Sequence, residues 1–217
     1  IQYGTSMCYP ISSMGSHVSV VPNHQTRRDT PLKTRANAAY FGTFGYELDL
    51  NKLTAEEIEE VKKQVKFMKV YREVIQYGTF YRLASPFDND ECGWMVVSED
   101  KKTAIAAWFR TLYTPNKCFT RMKLHGLDPE AFYSCSVLGG QALTVSKTPD
   151  GQLIYEKNSD EKEKINDTFN IIVGPSCYGD ELMNIGLITS DTSAGEIVGD
   201  DIPCGDYDSR LYILKAI

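Results

Sequence analysis

Apolar residues in "LTAEEIEEVKKQVKFMKVYREVIQYG" (Leu53 to Gly78) recur at three- and four-residue steps: Ile58, Val61, Val65, Met68, Tyr71 and Ile75. That spacing predicts an amphipathic helix of about 22 residues, roughly 33 Å long at 1.5 Å per residue. Thr54 and Glu57 stand at capping-box spacing, and Gly78 sits where a left-handed C-cap glycine belongs. The letters that end this helix, IQYGT, also open the chain at Ile1. The residues after the two copies share nothing, so an internal repeat is excluded. Ile1 to Gly4 are therefore expected to be the last turn of another helix, begun before Ile1, and the chain reads as a fragment.

Between the copies the pattern alternates. "SHVSVV" (Ser16 to Val21) is β-branched and predicts a short buried strand. "TPLKTRANAAYFG" predicts a helix with Thr30 as N-cap, Pro31 at its first position and Gly42 as its stop. "FGYELDL" (Phe44 to Leu50) alternates with period two and predicts a second strand. Strand, helix, strand and helix in this order are the tail of an α/β array with parallel strands. A closed eight-stranded barrel would need about six further units upstream.

Beyond Gly78 the pattern changes to short aromatic and β-branched runs, among them "GTFYRLAS", "CGWMVVS", "TAIAAWFRTLYT", "CFTRMKLHG", "AFYSCSV", "QLIYE", "TFNIIV" and "RLYILKAI". Turn residues separate them and no helical period is visible. An antiparallel β-sandwich of about eight strands is expected. "KNSDEKEKIND" is too polar to pack and reads as an exposed arm. The boundary between the α/β part and the all-β part falls after residue 78, dividing the chain into 1–78 and 79–217.

Composition narrows the function classes. The chain has 217 residues, 42% of them hydrophobic and 24% charged, which is ordinary for a globular protein. Acids and bases are mixed and the net charge is −6, so the footprint of a nucleic-acid binder is missing. No apolar run is long enough for a membrane span. The six cysteines are scattered, with no CxxC pair and no histidine at ligand spacing, so no metal is expected. Reduced, mostly buried cysteines suit a cytoplasmic setting.

Candidate chemistry is sparse. Glu47 and Asp49 share a strand face about 6.6 Å apart, near the carboxyl separations of glycosidases. Glycosidase pairs flank a sugar from opposite sides, however, and ordinary strand alternation explains these two equally. His17 lies on the first strand and His24 on the loop after it. In a barrel such a loop faces the active site, which would bring Asn23, His24, Arg27 and Arg28 to a substrate pocket. The alternative is a hydrogen-bonded core histidine at 17, with Arg27 and Arg28 paired to acids. His125, in "HGLDPE", reads as structural. No serine sits in a G-x-S-x-G elbow, and "LGGQAL" lacks the context of a phosphate loop. Trp94 and Trp108 read as core, with a sugar-stacking platform as the alternative.

Longer stretches carry a resemblance. "IQYGTSMCYPISSMGSHVS", "PNHQTRRDTPLKTRANAAYFGTFGYELDL", "IQYGTFYRL", "MVVSED", "GLDPEAFY", "GDELMNIGL" and "GDYDSRLYILK" resemble, in order, the latter part of bacterial α-galactosidases of glycoside hydrolase family 36. The resemblance implies a parent with an N-terminal β-supersandwich, a (β/α)8 barrel and a C-terminal antiparallel β-sandwich. It implies a retaining enzyme that releases terminal α-linked galactose from melibiose- or raffinose-type oligosaccharides, without metal or cofactor. Its two catalytic aspartates would end the fourth and sixth barrel strands, upstream of Ile1, so no catalytic residue is assigned within this chain. "SHVSV" would be the seventh barrel strand and "FGYELDL" the eighth, with Val18, Val20, Tyr46 and Leu48 uncovered unless the rest of the parent is present. The parent is expected to be homo-oligomeric. A carbohydrate-binding or assembly module, and a relative that transfers galactose to another sugar, are the alternatives. "GQLIYEKNSDEKEKINDTFNIIVG" looks like an inserted hairpin and "ITSDTSAGEIVGDDIPC" like a lengthened connection.

Overall fold

A computed structural model describes residues 1–114, 120–138, 177–189 and 206–217, together with the strand backbones at 143–147 and 153–157. The expected strand "TFNIIV", the polar arm, most of the connection before the last strand, Cys118 and Cys204 lie outside the described residues.

The first part opens with a helical turn, α1 (Gln2–Thr5), as the repeated IQYGT predicts. Strand β1 (Gly15–Ser19), helix α2 (Leu32–Ala39) and strand β2 (Thr43–Glu47) come next, and β1 and β2 pair in parallel. Both strands are shorter than their apolar pattern. β1 ends where the Arg35 guanidinium takes the Ser19 carbonyl. β2 ends because Asp49 turns out of line and accepts a hydrogen bond from the Asn51 amide at 3.1 Å. Helix α2 starts at Leu32 without a side-chain cap, so Thr30 is not its N-cap. Gly42 lies beyond that helix, at a close approach: a Cβ there would meet Ser16 Cβ at 2.6 Å and the Met14 carbonyl at 2.8 Å.

Helix α3 (Ala55–Tyr77) carries the expected capping box, with Glu57 N–H donating to Thr54 Oγ1 at 3.2 Å and Thr54 N–H to Glu57 Oε2 at 2.8 Å. Its buried stripe is Val61, Gln64, Phe67, Met68, Tyr71 and Ile75, rotated from the purely apolar pattern so that Gln64 can accept from the Tyr46 hydroxyl at 2.9 Å. Gly78 is not left-handed: its φ of −70° and ψ of 170° are extended. Glycine is required there because a Cβ would stand 2.5 Å from the carbonyls of Val74 and Val97.

The second part is built on β3 (Thr79–Ala84), β4 (Glu91–Val97), β5 (Thr103–Arg110), β6 (Arg121–Met122), β7 (Phe132–Val137), β8 (Leu143–Lys147), β9 (Leu153–Lys157), β10 (Cys177–Tyr178), helix α4 (Gly179–Asn184), β11 (Leu187–Ile188) and β12 (Asp208–Ala216). Six of these strands form one large antiparallel sheet in the order β10-β7-β12-β5-β4-β3, consistent with a β-sandwich domain. Among the described residues β6 pairs with β11, and β8 with β9. Of the described residues of the expected strand "CFTRMKLHG", two are strand, and Leu124 N–H turns instead to the Leu182 carbonyl of α4. β8 and β9 pair antiparallel, with Leu143 opposite Lys157, so Leu153–Lys157 of the expected inserted hairpin is paired with the segment before it. Helix α4 is too short to register as a period.

The central strands β4 and β5 are buried along almost their whole length because both faces of the sheet are covered. One face carries Trp94, Val96, Ile105, Ala107, Phe109, Leu211 and Ile213 into a core shared with α2, α3 and β1. The other carries Met95, Val97, Ala106, Trp108, Tyr212 and Leu214 into a core with Leu124, Leu127 and Leu182. The first core corrects the expectation of uncovered strand residues: Val18 is fully buried and Tyr46 and Leu48 pack against it, while Val20 remains half exposed.

Candidate functional site

Side chains alternate along a strand, and paired residues on parallel strands share a face. The register therefore sorts the residues of β1 and β2. Ser16 opposite Phe44 and Val18 opposite Tyr46 point to the helices. Gly15 opposite Thr43, His17 opposite Gly45 and Ser19 opposite Glu47 point away from them. The helix side is apolar and hydrogen-bonded, and burial together with the nearby Glu60 carboxylate raises the Tyr46 phenol above its usual range. The opposite side is polar: His17, Thr43 and Glu47 are exposed and Ser19 is half buried. A Cβ at Gly45 would approach His17 Cδ2 to 3.1 Å, so glycine leaves room for the imidazole to lie across β2.

His17 is accordingly an exposed strand residue rather than a core histidine. The loop after β1 is tied to itself. Asn23 Oδ1 accepts from the amides of Gln25 and Thr26, both at 3.0 Å, and from the Thr26 hydroxyl at 3.2 Å. The Asn23 carbonyl accepts from Arg27 N–H at 2.8 Å, with Arg27 at a φ of 58°. His24 and Arg27 are exposed and make no side-chain hydrogen bond or ion pair among the described residues. Among the described residues Arg28 pairs with no acid; its guanidinium lies 4.1 Å over the Tyr207 ring. No hydrogen bond, ion pair or ring contact among the described residues joins His17 to Asn23, His24 or Arg27.

The two carboxylates of the strand part company. Asp49 Oδ1 accepts from the amide and side chain of Asn51 at 3.1 and 3.0 Å, outside the strand. Glu47 stays on the polar face beside Ser19. Ser19 is the site residue that sequence reasoning missed, since its place depends on the register with β2. Behind the strand ends, Arg35 Nε donates to the Thr30 carbonyl at 2.9 Å and its Nη1 to the Ser19 carbonyl. Burial pulls that guanidinium below its usual range, against the charges of Glu57 and Asp29.

Neither tryptophan is a platform. Trp94 is 4% exposed and Trp108 1%. Trp94 packs against Phe109, Phe41 and Tyr3, while Trp108 donates from Nε1 to Glu91 at 3.2 Å. Among the described residues no group of three or more histidines, cysteines or acids could hold a metal, and no helix is long and apolar enough to cross a membrane. A hydroxyl, a carboxylate and an imidazole on one face can hydrogen-bond a polyhydroxylated ligand or water.

Two family models match the chain: melibiase over residues 1–78, and the glycosyl hydrolase family 36 C-terminal domain over residues 91–214. Alpha-galactosidase AgaA of Geobacillus stearothermophilus is 52% identical over 139 residues, covering 64% of this chain and 19% of the relative. Alpha-galactosidase Mel36A of Lactobacillus acidophilus is 37% identical over 217 residues, covering 100% of this chain and 23% of the relative. A crystal structure of the Geobacillus family 36 enzyme in complex with raffinose superposes with a TM-score of 0.73 at 38% identity, covering 100% of this chain and 24% of that one. The chain spans less than a quarter of the length of these relatives.

Proposed function

Because the chain belongs to glycosyl hydrolase family 36, we propose that it is the C-terminal part of an α-galactosidase, a retaining hydrolase that releases terminal α-linked galactose from melibiose- or raffinose-type oligosaccharides. The observation that carries this reading is the consecutive match of the two family models, melibiase first and the family 36 C-terminal domain after it. In this reading residues 1–78 are the last two strands and helices of a (β/α)8 barrel, and residues 79–217 a C-terminal antiparallel β-sandwich. The parallel β1–α2–β2 unit, with its helix side buried and its other side polar, supports the first assignment. The large antiparallel sheet supports the second.

The catalytic carboxylates belong to earlier barrel strands. His17, Asn23, His24 and Arg27 then lie on the substrate side, a placement supported by the position of β1 and of the loop after it. Cytoplasmic location and a homo-oligomeric parent belong to the same reading. The thiols Cys8, Cys92, Cys135 and Cys177, free of disulfides, support the first, and the exposed Met7, Tyr9, Tyr77 and Phe87 the second. A binding module resting on Trp94 or Trp108 is not favoured, since both are buried.

Two measurements test the proposal. The purified 217-residue chain, shown folded by circular dichroism, is expected not to hydrolyse a chromogenic α-galactoside; turnover would put the catalytic carboxylates inside it. Substituting these residues for the matching C-terminal part of the Geobacillus enzyme is expected to leave a protein that hydrolyses raffinose. A folded chimera without activity would overturn the assignment.

A further inference from the structure

We propose that Ser19 and Glu47, the last residues of β1 and β2, form a hydrogen-bonding pair that contacts the hydroxyl groups of the bound sugar, with Glu47 as a specificity-determining residue. This rests on the α-galactosidase reading above and assigns it two residues.

Register carries the inference first. Ser19 stands directly opposite Glu47, so the two side chains leave one face of neighbouring strands about 4.8 Å apart. Each residue ends its strand, and in barrel enzymes the carboxyl ends of the strands carry the residues that meet substrate. Hydrogen bonding carries it next. Neither the Ser19 hydroxyl nor the Glu47 carboxylate has a partner among the described residues, whereas the atoms around them are committed. Arg35 holds the Ser19 carbonyl, Gln64 holds the Tyr46 hydroxyl, and Asn51 occupies Asp49. The neighbours that could compete for the two side chains are thus already engaged, as a preorganised contact requires.

The chemistry of the face selects the ligand. Gly15, His17, Ser19, Thr43, Gly45 and Glu47 include no lysine or arginine, so an anion finds no countercharge there. A carboxylate accepts two hydrogen bonds from adjacent hydroxyls, and a serine hydroxyl donates or accepts one. A neutral polyol fits this set. His17, two residues down β1 on the same face, lies about 6.6 Å deeper, beneath the pair.

The test uses the complete enzyme that carries these residues, with Glu47→Gln, Ser19→Ala and, as control, Asp49→Asn. Kinetics on a chromogenic α-galactoside and on raffinose are measured beside thermal unfolding. Glu47→Gln is expected to raise KM about tenfold and Ser19→Ala by a smaller factor, the loss of one hydrogen bond to a charged group being worth about a factor of ten or more. Asp49→Asn is expected to change neither kcat nor KM, and all three variants to melt with the unsubstituted enzyme. Unchanged kinetics in Glu47→Gln, or a KM rise matched by a fall in melting temperature, would overturn the inference alone. An unsubstituted enzyme without α-galactosidase activity would overturn the reading beneath it and the inference with it.

Discussion

Asn37 on α2 donates from its side-chain nitrogen to the Ser209 hydroxyl on β12 at 2.9 Å, a buried bond between residues 172 positions apart. Ser209 in turn donates to Thr34 Oγ1, one turn earlier on α2, at 3.2 Å. Two turns of a helix from the α/β part therefore grip the first residues of the strand at the centre of the large sheet.

Removing that grip is expected to loosen one half from the other. Asn37→Ala deletes one buried bond and leaves Ser209 with its bond to Thr34, so the expected cost is about 1–3 kcal/mol. Urea unfolding followed by circular dichroism measures it. A midpoint equal to that of the unsubstituted chain would mean that apolar packing alone holds α2 on the sheet.

Gly78 tests a different kind of requirement. Its backbone suits any residue, so the expected cost of Gly78→Ala comes from space: the new methyl would meet two carbonyl oxygens at 2.5 Å. Backbone cannot step aside as a side chain can, and a loss of about 1–3 kcal/mol is expected, as for other overpacked sites. Gly4→Ala is the control, since its nearest neighbour, Phe87 Cζ, would stand at 3.8 Å. Equal melting of the two variants would refute the close-approach explanation.

Alkaline pH probes the buried thiols. Burial pushes the Cys92 thiol up to about 11 and the Cys135 thiol up to about 12. Below pH 9 each is protonated whether the chain is folded or not, and its contribution to stability is fully present. Above pH 9 the unfolded chain loses the proton first, so stability falls as pH rises towards 11 for Cys92 and 12 for Cys135. The slope is about 1.4 kcal/mol per pH unit for each thiol. Cys135→Val is expected to flatten the pH dependence of unfolding between 9 and 12. An unaltered slope would assign the alkaline loss to other groups.

How much of this was legible in the chain depended on the range of the interactions involved. Helix α3 could be placed to within a residue, because its capping box and its 3.6-residue stripe are local signals. The reason for the glycine after it is not local, since the carbonyl of Val97 that forbids a side chain there belongs to β4, about twenty residues on. β4 and β5 showed runs of apolar residues instead of alternation because both of their faces are covered, which only the assembled layers make plain. Glu47 and Asp49 looked like a pair because a strand drawn through both puts them on one face. A side-chain bond to Asn51 ends that strand between them. Ser19 was invisible as a site residue because nothing in "SHVSVV" says which residue of β2 will stand opposite.

β12, last of the described elements in chain order, lies between β5 and β7. A ribosome releases the amino end first, so β3, β4, β5 and β7 emerge with a gap where their shared neighbour belongs. Until Asp208–Ala216 arrive, the large sheet is split in two and α2 has no Ser209 to hold. The large sheet is then completed only by the arrival of β12. Nascent chains stalled before Asp208 are expected to be cut readily by protease within β4 to β7, and chains extended past Ala216 to resist.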